Sequence, residues 1–347
     1  MTISAKIIAD SISELGQRIT TFELEYPRFI HAELLTHRLM SKNSSSSRAV
    51  PVQKAIELIR TNTAGPSHWG KHQSGMQAKE ECNSYLEREV PYVDDEGNVV
   101  TRLDGSLMTY TAQISREQLW NEARDAALEY AEIFMDLGYH KQVVNRITEP
   151  FSHIKVCLTA TNFSNFLWLR DHSDAQPEIM LLAKEMKKEL ENSIPKVLTT
   201  GEWHLPYYGE GYWEPRSEDD AFVVTENIRN GIIPTDVFDE NGISLSDALK
   251  ISSSCCAQTS YRRTDDSLEK ATNIYEKLVG MEPPHFSPFE HQAMPMCSTT
   301  SFDDCAVTHL DRYGSYWSGN FEKWIQHRQI IMNDMNIKLM NSIKGKL

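Results

Sequence analysis

Two arginines, an imidazole, an amide and five serines crowd into one short run, Thr36-His37-Arg38-Leu39-Met40-Ser41-Lys42-Asn43-Ser44-Ser45-Ser46-Ser47-Arg48. Nearly every polar group in it donates hydrogen bonds, which suits a polyanion such as a nucleotide phosphate. Arg38 and Arg48 can each grip phosphate oxygens with a planar fork of donors. The serine hydroxyls and any free backbone N–H groups would complete the cradle. The competing reading is a polar, flexible loop, since serine runs are common in loops. Ser46 itself has two readings. A serine nucleophile needs a base and an orienting acid; His37 is close in sequence but no acid accompanies it, which favours Ser46 as a ligand.

The elements around this run must deliver it. Residues 3–9 and 18–25 read as strands, the second with Ile19, Phe22 and Leu24 on an imperfect alternation. Residues 27–40 read as a helix opened by Pro27, and 51–60 as another opened by Pro51. Residues 61–77 read as a loop around Gly65-Pro66, and 88–108 as a hairpin turning at Asp94-Asp95-Glu96-Gly97-Asn98. A strong helix is expected over 115–137, with Ser115 as cap and Leu119, Ala123, Ala126, Ala127, Tyr130, Ile133 and Phe134 on one stripe. Further helices are expected at 175–193, 246–260 (capped by Ser246), 266–279 and 318–345. The stretch 199–244 reads as irregular, its Trp203, Tyr207, Tyr208, Tyr212 and Trp213 serving packing rather than stacking on a ligand.

With 347 residues and 40% apolar content the chain can bury a sizeable core. A formal net charge of −14 argues against a nucleic-acid partner, which calls for a basic face. Cys82, Cys157, Cys255, Cys256, Cys297 and Cys305 include no Cys-x-x-Cys pair, so no metal site is expected. Neighbouring Cys255 and Cys256 read as buried packing residues. The amino-terminal residues lack a signal peptide's apolar core, and no stretch approaches the ~20 apolar residues that span a bilayer. A cytoplasmic protein with free thiols and no membrane partner is expected.

The order of residues in the first run resembles the signature of the flavin-dependent thymidylate synthases, an Arg-His-Arg followed at fixed spacing by Asn, Ser and a second Arg. His37, Arg38, Ser41, Asn43, Ser46 and Arg48 fall in register with it. Thr36 stands where the first Arg is usual, Ser44 where an acid is usual and Ala49 where Tyr is usual. Asn165-Phe166-Leu167-Trp168-Leu169-Arg170, with Ala175-Gln176-Pro177-Glu178-Ile179 after it, looks like a second family element, with Asp174 replacing a usual His. Arg146-Ile147-Thr148-Glu149-Pro150 looks like the family's Arg-x-x-x-Pro. Cys256-Ala257-Gln258-Thr259-Ser260-Tyr261 and His285-Phe286-Ser287-Pro288-Phe289-Glu290-His291 resemble two elements that ordinarily precede the signature and here follow it. Circular permutation is the simplest account, and it is physically cheap where chain ends lie close together at a surface.

The resemblance implies an α/β (α+β) fold, a sheet flanked by helices, as one catalytic domain over 1–347. Residues 61–112 would be an insertion, 199–244 a connector and 245–330 the permuted equivalent of the family's N-terminal part. It implies a homotetramer that methylates dUMP to dTMP, with FAD, methylenetetrahydrofolate as carbon donor and NADPH as reductant. Arg170 would be catalytic, favouring the ionised pyrimidine; its bland alternative is a helix-surface arginine. Ser44, Ser45, Ser46, Ser47, Arg48 and Arg146 would bind the substrate, and His37, Arg38, Asn43, Asn165 and His291 the cofactors. The departures at Thr36, Ser44 and Ala49 leave two alternatives open: a sibling enzyme that makes a hydroxymethyl product or acts on dCMP, and a nucleotide-binding homologue without catalysis.

Overall fold

The computed structural model describes residues 2–75, 78–259, 266–281, 285–296, 309–310, 316–317 and 319–331. Strands β1 (Ser4–Ser13) and β2 (Arg18–Pro27) come first, then helix α1 (His31–Leu35), strand β3 (Ser41–Ser44), helix α2 (Val52–Thr61), strands β4 (Leu86–Pro91) and β5 (Thr109–Ile114), and helices α3 (Arg116–Asp136) and α4 (Lys141–Ile147). Strand β6 (His153–Ala160), helices α5 (Ser164–Arg170) and α6 (Pro177–Asn192), strands β7 (Lys196–Leu198), β8 (Trp203–His204) and β9 (Tyr212–Trp213) and helix α7 (Glu218–Arg229) follow. Helices α8 (Leu245–Ala257) and α9 (Leu268–Gly280) precede the short strands β10 (Ala293–Pro295), β11 (His309–Leu310), β12 (Tyr316–Trp317) and β13 (Trp324–Gln326). The architecture is mixed α/β, and the chain divides into two compact units: Pro51–Ser152, and Thr2–Val50 with His153–Leu347.

The second of these units is built on a five-stranded sheet of order β3-β6-β2-β1-β7. Its ladders are antiparallel except β1 with β7. Side chains alternate across a strand, and here the two faces differ in chemistry. Phe22, Leu24 and Tyr26 of β2 and Ile154, Val156, Leu158 and Ala160 of β6 are buried with Ile179, Leu182, Ala183 and Met186 of α6. The other face carries Ser11, Thr21, Cys157 and Thr159, each 1% exposed or less. A four-stranded sheet, β13-β10-β8-β9, packs with α7 and α8 around Trp203, Trp213, Leu249 and Met294. Gly201 precedes this sheet at φ +97°, and a Cβ there would lie 2.5 Å from the Ala221 carbonyl oxygen, so the approach of the two backbones requires glycine.

In the Pro51–Ser152 unit, α3 covers the stretch expected to be helical, but Ala123, Ala126, Tyr130 and Ile133 of the expected stripe are exposed, and Leu128 and Ala131 are the residues it buries. Ser115 Oγ accepts from Gln118 N at 3.2 Å while Gln118 Oε1 accepts from Ser115 N at 2.8 Å, a reciprocal cap. Val52, Ile56 and Ile59 of α2, Leu128 and Ala131 of α3, Val144 of α4 and Phe151 form its core. The hairpin is longer than the expected 88–108, because its stem pairs Leu86 with Ile114 through Pro91 with Thr109.

Several local expectations are corrected. The helix expected over 27–40 is one turn of α1 preceded by a 3-10 turn, because Pro27 still belongs to β2 and Thr36 Oγ1 caps the Glu33 carbonyl at 2.7 Å. Inside the stretch expected to be irregular, Glu218–Arg229 is helical: Ser217 caps Asp220 N at 3.1 Å, and three acids fill the first turn, where the helix dipole favours them. The cap of α8 is Ser244, not Ser246. Residues 324–326, expected helical, form β13, paired with β10; residues 332–347 of that expectation lie outside the described residues. Ser260, Tyr261, Cys297 and Cys305 also lie outside them. Trp203 and Trp213 are buried packing residues, as are Cys255 and Cys256. No described helix is long and apolar enough to cross a membrane.

Candidate functional site

Leu34 and Met40 are both buried in the core under the sheet, and the turn between them is held out from it. His37 N reaches the Leu34 carbonyl at 3.2 Å, and Lys42 Nζ closes the turn by donating to the carbonyls of His37 and of Met40, the latter at 3.1 Å. Burial pushes the Lys42 ammonium down to about 8. The result is a short rigid spur that presents His37 half-buried and Arg38 exposed.

Helix α5 brings the second motif to this spur. Residues four apart share a helix face, so Phe166 enters the core while Arg170 stands beside it. The His37 ring meets Phe166 edge-on, centroids 4.9 Å apart. Arg170 Nε donates to His37 Nε2 at 3.1 Å, and its Nη1 pairs with Glu33 Oε2 at 3.1 Å. Burial first, then the positive charges of Arg170 and Lys42, hold the His37 imidazole below the usual histidine range. The first and second motifs, 133 positions apart, therefore form one constellation.

The serine run is not a free loop. Ser41–Ser44 is strand β3, paired with β6 from Ser41↔Thr159 to Ser44↔Val156. Ser41 Oγ accepts from Asn320 Nδ2 at 2.9 Å and Gln326 Nε2 at 3.1 Å. Asn43 donates to the Cys256 carbonyl at 2.5 Å and accepts from Ser287 Oγ at 3.0 Å. Ser44 Oγ lies 3.3 Å from His31 Nε2, and Ser45 Oγ accepts from Lys155 N at 3.1 Å. Ser47 sits with Arg48 in a 3-10 turn, Ser47–Ala49. Among the described residues, the side chains of Arg38, Ser46 and Arg48 have no hydrogen bond or ion pair, and Arg38 and Arg48 are exposed.

Asn165 lies exposed on α5. Arg146 belongs to the Pro51–Ser152 unit, at the end of α4, 3.7 Å from Glu149. His291 is fully buried against the polar face of the sheet, its Nδ1 2.9 Å from Thr159 Oγ1 and 3.6 Å from Cys157 Sγ. The network continues through Thr159 to Thr21 (2.7 Å), to His204 Nε2 (2.8 Å), whose Nδ1 reaches Ser11 Oγ (2.9 Å). Such a buried polar network is stable because nearly every member is paired; His291 Nε2 alone of these imidazole nitrogens has no partner. The 256–291 block thus packs directly on the 18–48 segment, through Asn43 and the Thr21–Thr159–His291 chain.

Sequence reasoning missed Glu33, Lys42 and Phe166. The spacing of Glu33 to His37 placed both on one helical face and could have signalled the first. Among the described residues no group of His, Cys, Asp and Glu has the arrangement of a metal site.

No curated protein matches the chain. Among solved structures, a UMP/dUMP methylase PolB from Streptomyces cacaoi bound with 5-Br UMP is 17% identical, covering 55% of this chain and 88% of its own, with TM-score 0.34. The flavin dependent thymidylate synthase ThyX from Helicobacter pylori, complexed with FAD and dUMP, is 16% identical, covering 50% and 67%, with TM-score 0.31. The sequence pattern of the family described as thymidylate synthase complementing protein, Thy1, matches residues 11–196, a span that contains both halves of the His37–Arg170 constellation. Over half of the chain follows that pattern, and the protein belongs to the Thy1 family.

Proposed function

We propose that the protein is a flavin-dependent thymidylate synthase, methylating dUMP to dTMP with methylenetetrahydrofolate as carbon donor and NADPH as reductant. The observation that carries this reading is the meeting of His37 and Arg170 at 3.1 Å, because it turns two sequence resemblances into one site. The residues suit a flavin nucleotide and a pyrimidine nucleotide: a half-buried imidazole, a fixed guanidinium and the unpaired Arg38, Ser46 and Arg48 together offer donors to phosphates and ring carbonyls. Reduced FAD, when bound, would supply the hydride that completes the methyl group, with NADPH as the source of its electrons. Arg170 holds negative charge as it develops on the pyrimidine, being always protonated and already oriented. Arg48 and Ser46 bind the nucleotide, and His37, Arg38 and Asn165 contact the flavin; for Arg146 the family likeness alone supports a role in substrate binding. Asn43 and His291 serve the cofactors through position: Asn43 ties β3 to the end of α8, and His291 supports the sheet face behind β3. The packing of the 256–291 block on the 18–48 segment supports a circularly permuted chain, and family likeness supports a homotetramer.

The test is mass spectrometry of products from dUMP, and separately dCMP, with methylenetetrahydrofolate and NADPH, on protein whose flavin spectrum is recorded first. Non-covalent FAD released on denaturation, and dUMP gaining a methyl mass, are expected. A hydroxymethyl product or a preference for dCMP would move the protein to the sibling activity; folded protein that neither retains nor takes up FAD would sink the reading.

A further inference from the structure

Arg170 donates from Nε to His37 Nε2. A guanidinium has donors only and stays protonated, so the atom that faces it must bring a lone pair. With Nε2 accepting, the ring proton of a neutral imidazole sits on Nδ1. The guanidinium is in turn gripped from its Nη1 side by Glu33, whose carboxylate comes from the helix turn that leads into the same spur.

We propose that His37 is held as the neutral Nδ1–H tautomer, and that Glu33 is the positioning residue that enforces it by fixing Arg170. The proposal rests on the functional reading above and deepens it, because it states what His37 offers a ligand: one N–H donor, suited to an acceptor oxygen of a ring carbonyl or a phosphate, and no acidic proton to transfer. The surroundings agree on every side. Arg170 faces the ring from α5, Lys42 reaches its backbone carbonyl from β3, Arg38 follows it in the chain, Glu33 is the anion paired with Arg170, and Phe166 meets the ring edge-on. Adding a proton at Nε2 would set an imidazolium against the guanidinium and break their hydrogen bond. Neither Glu33 nor this arrangement is carried by the motif residues Arg38, Ser41, Asn43, Ser46 and Arg48.

The experiment is nitrogen NMR of protein labelled with ¹⁵N-histidine, without nucleotide, with His37 assigned by the signal lost in His37→Gln. In the wild type, Nε2 is expected to resonate as unprotonated and Nδ1 as protonated, and the ring to titrate below the usual value of about 6.5. In Glu33→Ala, Arg170 is released, both tautomers are expected, and the titration moves up towards about 6.5. Glu33→Gln, which keeps an acceptor without the charge, should fall between them, and circular dichroism checks that each variant is folded. A wild-type proton on Nε2 would overturn the tautomer, and a Glu33→Ala spectrum identical to wild type would overturn the role of Glu33. Because these signals report the His37 ring and not turnover, this failure is separate from failure of the functional reading, which shows as absent FAD uptake.

Discussion

Turnover is expected to fall about 10²–10³-fold when Arg170 is replaced by alanine, the cost of losing one preorganised donor at developing charge. The fold should barely notice. The Arg170–Glu33 pair is partly exposed, with side chains 21% and 36% accessible, and such pairs contribute about 0–1 kcal/mol. Flavin content should therefore stay near wild type while the chemical step slows, which single-turnover flavin oxidation with dUMP would register. Arg48→Ala offers the contrast. Arg48 is exposed, in a 3-10 turn with no internal partner among the described residues, and is assigned to ground-state contact with the nucleotide. Its loss should weaken nucleotide binding by about 1.5–3 kcal/mol and leave the saturated rate close to wild type. Wild-type turnover in Arg170→Ala would remove it from the chemistry, and an equal loss in both variants would mean that the two arginines share one role.

Phe166→Ala is expected to lower stability by about 3–5 kcal/mol, the usual cost of emptying a buried aromatic site. Phe166 is 1% exposed, packed in the core with Phe22, Phe163 and the apolar face of α6. The same ring carries the edge of His37, so the variant should also loosen the spur and weaken flavin retention. Trp168, two residues on and 76% exposed, is the control: Trp168→Ala should change stability by no more than about 0.5 kcal/mol. Urea denaturation followed by circular dichroism decides between them. Because the chain has two compact units, the comparison belongs to the transition that shifts rather than to one overall midpoint. Equal shifts for the two variants would show that α5 is not anchored through Phe166.

Much was legible without coordinates, and for a common reason. The capped helix α3, the amphipathic helices α2 and α6 and the paired strands β1 and β2 are governed by neighbours within about four residues or by a period of two, both visible in the chain. The motif run pointed to the candidate side chains, since residue type and spacing are all that a donor set requires. Local signals failed where a partner distant in sequence decided the outcome. Ser41–Ser44 is a strand only because β6, more than a hundred residues on, offers it a ladder, and that pairing turns Ser41, Asn43, Ser44 and Ser45 inward to fixed partners. Thr21, Thr159 and His204 carry no signal in the chain, yet with His291 they form one buried network. The sequence by itself determined the candidates, His37, Arg38, Arg48 and Arg170; the tertiary structure alone decided that Arg170 faces His37, that Glu33 pairs with it, and that Arg38, Ser46 and Arg48 find no side-chain partner among the described residues. The physical reason is that hydrogen bonds between distant residues follow from sheet register and core packing, and both are set by burial over the whole unit rather than by any local run.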